Sequence, residues 1–488
     1  MSVSSFGNIP RIPNLRPTFN IGAGLDIISG TYHIGGYGES VLNGGLSIIS
    51  SVAGPGNAFK STIVEYIILT VAERISNFNV SVYDTEISLT YDRLNQLAKR
   101  HTKLSKIVHG DESLPPEQER FRITSSAEVL GDEYFDLILK LAEDKRKAKM
   151  PLVTTPFMTA KGDVIKVLPP TGVLIDSLSE FKITAVEENI VDKNKIGESG
   201  NNMMFMRQGV AKKQMITQLP ITCAQSSMYF ALTAHVGDEF VLDGMAPKKH
   251  KLTHAKKGSK ITGTTKAFEF INTILLEIFD ASLLNNKDYN TGVLYPLLDS
   301  DKEGGCTDLI KVHLKLTRNK NGPSGASIDL IVSQREGVLS HLSQFHYIKE
   351  DNRYGLTGNV QFYALDLVPD VKLSRTTVRG IIDNNLKVQR ALEITSELLQ
   401  IRNFWATLPD DLMCTPVELY IDLINQGYDW DILLNTRGWW CYREQDVENL
   451  PFLSTMDLLR LRKGKYYPYW LNEDKKTFKK EFKHLLNN

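Results

Sequence analysis

Three short segments of the chain carry side chains suited to phosphate chemistry. In the first, a largely apolar run from Leu46 to Val52 enters a Gly/Pro turn that ends in Lys60-Ser61-Thr62 and opens a helix from Ile63 to Ile75. This is the strand, loop and helix order of a phosphate-binding loop, where backbone N–H groups and a lysine bind phosphates and a hydroxyl ligates Mg²⁺. The predicted nucleotide-binding residues are Gly54, Pro55, Gly56, Asn57, Ala58, Phe59, Lys60, Ser61 and Thr62.

One position departs from the usual pattern of such loops, G-x-x-x-x-G-K-[ST]. Gly54 is in place, but Phe59 stands where the second glycine is expected. A Lys-Ser pair after a Gly-Pro-Gly turn also occurs at ordinary helix starts, so this alternative stays open for the segment taken alone.

The other two segments end in carboxylates. Val80 to Glu86 alternates as a strand does and ends in Asp-Thr-Glu, and the apolar strand Gly172 to Leu178 delivers Asp176. In a parallel α/β sheet both strands end at the edge where ligands bind. Glu86 is the predicted general base that activates water, and Ser61 with Asp176 is the predicted Mg²⁺ site. Taken alone, the first strand also fits a solvated strand end, and an apolar strand that ends in Asp is common in any α/β protein.

Composition limits the remaining function classes. The 488 residues suggest two to four domains, and 57 basic against 57 acidic residues make any nucleic-acid surface local. The four cysteines show no C-x-x-C spacing, which indicates neither a zinc site nor a disulfide framework and fits a reducing cytosol. No signal peptide or membrane span is recognisable, so we expect a cytoplasmic protein without a membrane partner.

A long basic segment extends from Gly237 to Thr265 and reads as structureless. No acidic residue occurs from Met245 to Lys266. A loop of this length is usually functional or disordered, and lysines on phosphates release counterions. A solvated basic loop is the alternative. The lysines predicted to contact nucleic acid are Lys248, Lys249, Lys251, Lys256, Lys257 and Lys260.

The order of elements predicts an α/β fold with a mainly parallel central sheet and a helical C-terminal domain. We expect an extended arm over 1–22, a core over 23–370 with a hairpin insertion at 150–170, and a mainly helical domain over 371–488. The tail ends in tryptophans and tyrosines mixed with cations, which can stack on bases but more often form the core of a small domain.

This order of motifs resembles the RecA-family recombinases, most closely the phage UvsX-like proteins. Ala53-Gly-Pro-Gly-Asn-Ala-Phe-Lys-Ser61 is similar to the UvsX phosphate loop, which also carries Phe in place of Gly. Tyr83-Asp-Thr-Glu86 resembles the strand with the catalytic glutamate, and Leu174-Ile-Asp-Ser-Leu178 resembles the Walker B strand. His235 corresponds to the γ-phosphate sensor, and Arg318-Asn-Lys320 to a Lys-Asn-Lys that acts across the subunit interface.

The resemblance covers about residues 20–345 and implies a RecA-like ATPase that uses ATP and Mg²⁺. It implies a head-to-tail filament on single-stranded DNA that promotes strand exchange, with single-strand-binding or mediator proteins as partners, in the host cytoplasm if the chain is phage-encoded. Asp192 to Arg207 then corresponds to the first DNA-binding loop, with Arg207 on DNA, and Gly237 to Thr265 to the second. Arg318 and Lys320 are expected to act in trans. The N-terminal arm and the chain from Ser374 onward lack counterparts.

Two other functions remain open. A hexameric replicative helicase uses a related core in a ring, although no N-terminal companion domain fits before Leu46. An ATP-gated scaffold whose helical domain recruits partners would bind DNA negligibly at low salt.

Overall fold

The central strands are apolar on both faces, as a sheet covered by helices on both sides requires. The computed structural model of the chain describes residues 16–104, 119–159, 161–184, 186–187, 201–239, 252–284, 294–297, 307–359, 361–405 and 408–482, with side chains from 206 onward in the segment 201–239. Over these residues the fold is α/β with a ten-stranded, mainly parallel central sheet, which confirms the predicted α/β class and sheet type.

The strands are β1 Tyr32–Ile34, β2 Ser40–Leu42, β3 Ile49–Gly54, β4 Asn79–Asp84, β5 Phe121–Ser125, β6 Val153–Met158, β7 Val164–Val167, β8 Thr171–Asp176, β9 Met228–Asp238, β10 Ser259–Ile261, β11 Ile274–Leu283, β12 Leu309–Asn319, β13 Ser327–Ser333, β14 Gly337–Val338, β15 Leu356–Gly358, β16 Tyr363–Leu365 and β17 Val368–Leu373. The α-helices are α1 Lys60–Arg74, α2 Tyr91–Ala98, α3 Gly131–Lys147, α4 Asn201–Ser226, α5 Lys266–Ile271, α6 Ser340–Glu350, α7 Val378–Asn384, α8 Leu386–Phe404, α9 Pro416–Asn425, α10 Trp430–Leu434 and α11 Thr455–Arg462. Short 3-10 helices span Ile27–Ser29, Leu178–Glu180 and Arg443–Glu448.

The sheet has the order β14-β13-β12-β11-β3-β9-β8-β4-β5, and β10 pairs with β9. The strands from β11 to β5 are parallel, whereas β12, β13 and β14 continue antiparallel from β11. The parallel strands therefore end together at one edge, called the carboxyl edge below. The residues predicted to bind nucleotide lie at the carboxyl ends of these strands or in the loops just after them.

The two faces of the sheet belong to separate hydrophobic cores. Leu174 of β8 packs in the core that contains α1, while its neighbours Val173 and Ile175 pack in the core that contains α3 and α4. This alternation follows from the two-residue period of a strand. Because both faces are covered, the sheet is a rigid base for side chains at its carboxyl edge.

The C-terminal region folds back onto this sheet. Trp440 is buried, its ring stacks on Phe19 with centroids 5.2 Å apart, and its indole N–H donates to the Thr18 carbonyl at 2.8 Å. Trp470 is also fully buried and donates to the Phe452 carbonyl. These tail aromatics are therefore core residues, in line with the alternative to base stacking. The N-terminal segment is buried over residues 17–22, and its Phe19 and Ile21 lie in the same core as Trp440.

Two smaller features bear on the sequence predictions. β6 and β7 pair antiparallel as a hairpin outside the central sheet. The basic segment is not structureless throughout, because β9 extends to Asp238 and β10 pairs with it, so that prediction is wrong for Ser259–Ile261. The pairing of β10 with β9 satisfies backbone hydrogen-bonding groups, and a polar sequence pattern does not indicate such a pairing. None of the described helices is long and apolar enough to cross a bilayer.

Candidate functional site

The turn between β3 and α1 bends through left-handed residues. Asn57 has a φ of 56° and Phe59 a φ of 63°, and Phe59 immediately precedes the first turn of α1. Left-handed backbone is strained for a residue with a Cβ, which is why glycine is favoured at such positions. The Phe59 ring packs, partly buried, against the core on the α1 side of the sheet. Phe59 thus holds the conformation that the missing glycine would favour.

Lys60 lies folded over this turn. Its side chain is buried, and Nζ donates a hydrogen bond to the Pro55 carbonyl at 2.8 Å. Burial lowers the pKa of Lys60, and the charges of Asp176 and Glu86 act in the opposite direction. The ammonium group is therefore held in the loop close to two carboxylates.

Asp176 ends β8 at the centre of the carboxyl edge. It lies beside Asp84 in the register of β8 and β4. Its carboxylate accepts hydrogen bonds from the hydroxyls of Ser61 and Thr233. Burial raises the pKa of Asp176, although both hydrogen bonds favour the charged form. The two predicted Mg²⁺ ligands, Ser61 and Asp176, are thus in contact.

Glu86 and His235 meet across the same edge. His235 lies opposite Gly54 in the register of β9 and β3, and its Nε2 is 3.1 Å from Oε1 of Glu86. The Glu86 side chain is 40% exposed. A carboxylate in this position is open to water on one side and hydrogen-bonded on the other, which suits a general base.

Asp84 is a site residue that sequence reasoning missed. Its carboxylate accepts backbone N–H bonds from Glu86 at 3.0 Å and from Ser88 and Leu89 at 2.6 Å. The intervening Ile87 has a φ of 54°. Asp84 therefore shapes the loop that carries Glu86. The signal was present, because aspartate often caps its own following turn.

Glu65 is a second missed residue. It lies on α1 one turn after Ser61 and is 5% exposed. Burial raises the pKa of Glu65 to about 7, and the negative charge of Asp176 acts in the same direction. A carboxylate inside the apolar run from Ile63 to Leu69 was a visible signal in the sequence. Thr233 was not recognisable, because it is one polar residue within the apolar strand β9.

Arg318 and Lys320 lie at the opposite edge of the sheet. Arg318 pairs in register with Leu275, and Leu275 with Ser51, three residues before Gly54. Lys320 Nζ donates to the Ile271 carbonyl at 2.9 Å and Arg318 Nε to the Asn272 carbonyl at 3.3 Å. Carbonyls at the end of a helix, here α5, attract cations. Within one chain these two residues are not brought together with Lys60.

The predicted DNA-binding residues fall into two groups. Lys248, Lys249 and Lys251 lie outside the described residues. Three of the remaining cations are exposed: Arg207 on α4, Lys257 just before β10 and Lys260 in β10. Lys256 is also exposed, but its Nζ donates to the Phe279 carbonyl at 2.6 Å. Lys260 pairs in register with Gly237, two residues beyond His235, so this part of the basic segment is adjacent to the candidate site.

No protein-family model matches the chain, and no curated protein matches it either. The function proposed below therefore depends on the positions of these side chains.

Proposed function

We propose that the chain is an ATP-dependent DNA recombinase with a RecA-like core, which forms filaments on single-stranded DNA and promotes strand exchange. The observation that carries the proposal is the convergence of Lys60, Glu86, Asp176 and His235 at one edge of the sheet. These four side chains come from four separate strand ends. An open parallel sheet binds its ligands outside the carboxyl ends of its strands, which supports a nucleotide here.

The protein's part in phosphoryl transfer is mainly to position groups and to neutralise charge. In the proposed mechanism Lys60 leaves the Pro55 carbonyl for the β and γ phosphates, and the loop N–H groups from Gly56 to Ser61 bind phosphate oxygens. Glu86 takes the proton of the attacking water. His235, already hydrogen-bonded to Glu86, senses the γ-phosphate through that contact.

The donor set at Asp176 fits Mg²⁺. Ser61 and Asp176 supply a hydroxyl and a carboxylate that already touch, and Mg²⁺ prefers oxygen ligands with several places left for waters and phosphates. Among the described residues there is no group of three or more His, Cys, Asp or Glu side chains that could hold a metal, so these two would be the protein's share of the ligands. When bound, Mg²⁺ supplies charge neutralisation at the β and γ phosphates.

Assembly and DNA binding complete the proposal. Arg318 and Lys320 are at the edge opposite Lys60, so they would reach the phosphates of an adjacent copy in a head-to-tail filament. Arg207, Lys257 and Lys260 are exposed cations on α4, just before β10 and in β10, and they would contact the DNA backbone.

Electron microscopy of the full chain with single-stranded DNA, with and without a non-hydrolysable ATP analogue, tests this function. We expect helical filaments that require the analogue, and homologous strand exchange when ATP is supplied. Closed rings that unwind forked DNA would instead indicate a helicase. Negligible DNA affinity at about 50 mM salt would indicate an ATP-gated scaffold, because lysines on phosphates bind strongly at that ionic strength.

A further inference from the structure

A single buried hydroxyl connects the candidate nucleotide site to the basic segment. Ser179 lies in the 3-10 turn that follows Asp176 and is 7% exposed. Its Oγ accepts a hydrogen bond from the His235 backbone N–H at 2.9 Å and donates one to the Thr262 carbonyl at 2.8 Å. The residue therefore bridges the end of β8, the strand β9 and the segment after β10.

The backbone of His235 is held on both sides by this arrangement. Its N–H donates to Ser179, and its carbonyl accepts from the Thr262 N–H at 2.9 Å. The neighbouring pair, Ile261 and Val236, continues the ladder between β10 and β9. A shift of His235 along or out of the sheet must therefore move the segment that carries Lys257 and Lys260.

Lys212 of α4 also binds the backbone at Ser179. Its buried ammonium donates to the carbonyls of Ser179 at 3.1 Å, Gly263 at 3.0 Å and Leu178 at 3.4 Å. Burial lowers the pKa of Lys212 to about 8. The three carbonyls compensate part of the cost of burying the charge. Since α4 also carries Arg207, a second predicted DNA contact is attached to Ser179.

Gly263 permits the close approach on which these bonds depend. It has a φ of 67°, and a Cβ at this position would lie 2.7 to 2.8 Å from backbone and side-chain atoms of Ser179. A larger residue would separate the two segments. We call Ser179, Lys212, His235, Thr262 and Gly263 the Ser179 joint.

We propose that Ser179 is the positioning residue through which nucleotide binding and DNA binding become energetically dependent on each other. This inference rests on the proposed function. His235 hydrogen-bonds Glu86 at the nucleotide edge, and the joint connects the His235 backbone to both predicted DNA-binding elements. By thermodynamic linkage, a nucleotide that tightens DNA binding by some factor must itself be bound tighter by the same factor in the presence of DNA.

The test measures this coupling factor directly. The dissociation constant of a fluorescent oligothymidylate is determined with and without ATPγS, and that of ATPγS with and without the oligothymidylate. Allosteric coupling is typically about 5- to 150-fold. We expect a coupling factor in this range for the wild-type chain, equal in both directions. In Ser179→Ala this factor should fall about tenfold. If the wild-type factor is below about ten, the variant should show no coupling.

Ser177→Ala is the matched control. Ser177 is fully buried two residues earlier, and among the residues that the structure describes its hydroxyl has no hydrogen-bond partner, so removing this hydroxyl should preserve the coupling factor. Lys212→Met and Lys213→Met form a second pair, in which the buried ammonium is lost in one variant and an exposed ammonium in the other. Only Lys212→Met should reduce the factor. Thermal melts verify that each variant folds.

The possible outcomes distinguish a failure of the proposed function from a failure of the Ser179 joint. If the wild-type chain binds no nucleotide or no DNA, the proposed function fails and the joint fails with it. If the wild-type chain couples the two ligands and Ser179→Ala and Lys212→Met couple them equally well, the proposed function stands and the joint is overturned. Loss of coupling in these two variants, with both controls intact, supports the joint.

Discussion

The candidate residues are mainly acidic at the carboxyl edge of the central sheet and basic at the opposite edge. At the carboxyl edge, Glu86 and Asp176 lie close to Lys60 and are hydrogen-bonded to neighbours within the site. Asp84 lies beside Asp176, and its carboxylate binds the loop that carries Glu86. At the opposite edge, Arg318 and Lys320 are bonded to backbone carbonyls at the end of α5. One edge therefore carries a cluster of carboxylates around a lysine, and the other carries two cations bound to backbone carbonyls.

This difference shows what each edge lacks. Within the described part of the chain, the acidic edge has few cations for the charge that would develop on a γ-phosphate, and the cationic edge has no phosphate-binding turn. A head-to-tail contact between two copies would bring the complementary groups together, and such heterologous contacts extend into filaments or close into rings. The following predictions test that complementarity.

Lys60→Ala should have the largest effect. We expect DNA-stimulated ATP hydrolysis to fall more than about 10³-fold, because the variant loses a positioned cation at the phosphates. Steady-state phosphate release measures the rate. Lys99→Ala, which removes an exposed lysine after α2, is the control and should hydrolyse ATP normally. If Lys60→Ala hydrolysed ATP normally, the nucleotide would not bind at the carboxyl edge.

Arg318→Ala should lower kcat about 10³-fold, the lower limit for an arginine finger. Arg122→Ala is the control, because Arg122 lies near the start of β5, towards the same edge of the sheet, and is exposed. Equal mixing of Arg318→Ala with Lys60→Ala should restore about a quarter of the wild-type rate, since about a quarter of the interfaces then combine two intact halves. Mixtures no more active than their components would show that the two edges do not cooperate.

Glu86→Gln should lower kcat about 10²-fold while KM for ATP changes little, because the general base acts on water rather than on nucleotide binding. Glu128→Gln removes an exposed carboxylate that follows the adjacent strand β5 and serves as the control. A rise in KM with unchanged kcat would instead make Glu86 a binding residue.

The sequence predicted the site residues that stand at the ends of strands. It missed those whose role depends on the direction in which the side chain points. Asp176 and Glu86 were recognisable because polar residues after apolar strands collect at one edge. Asp84 belongs to the same Asp-Thr-Glu segment, yet its carboxylate turns back to its own loop. Thr233 and Ser179 are single hydroxyls whose partners lie more than fifty residues away. Such partners are set by sheet order, which local patterns do not specify.

The C-terminal region illustrates the same limit for the fold. Helices such as α8 and α9 follow from periodicity and, for α9, from the Thr-Pro-x-Glu capping pattern at Thr415. The contact of Trp440 with Phe19 joins residues 421 positions apart in the chain. Aromatic composition indicated a core but could not identify which core.

Glu65 tests the electrostatics of the acidic edge through stability. Its pKa is about 7 when folded and about 4.5 in an unperturbed chain, so the folded state binds more protons between these values. Stability from this group is therefore full below about pH 4.5 and is lost as pH rises towards 7. Relative to wild type, Glu65→Gln should gain up to about 3 kcal/mol between pH 4 and pH 8, measured by urea denaturation. Glu73→Gln, on the same helix, is the control; His101 lowers the pKa of Glu73, so the gain should be absent.

Phe59 allows the smallest and most local test, because its left-handed backbone distinguishes the turn at the carboxyl edge from an ordinary helix start. Phe59→Gly and Phe59→Ala both remove the partly buried ring, so their difference isolates the backbone. At a φ of 63° we expect Gly to be more stable than Ala by about 1 kcal/mol. The same pair at Asn95, inside α2, should show the reverse order by about 0.5–1 kcal/mol, because Gly is the poorer helix former. If Ala were favoured at both positions, the turn before Lys60 would have right-handed backbone, and the preorganised N–H groups expected at the acidic edge would be lost.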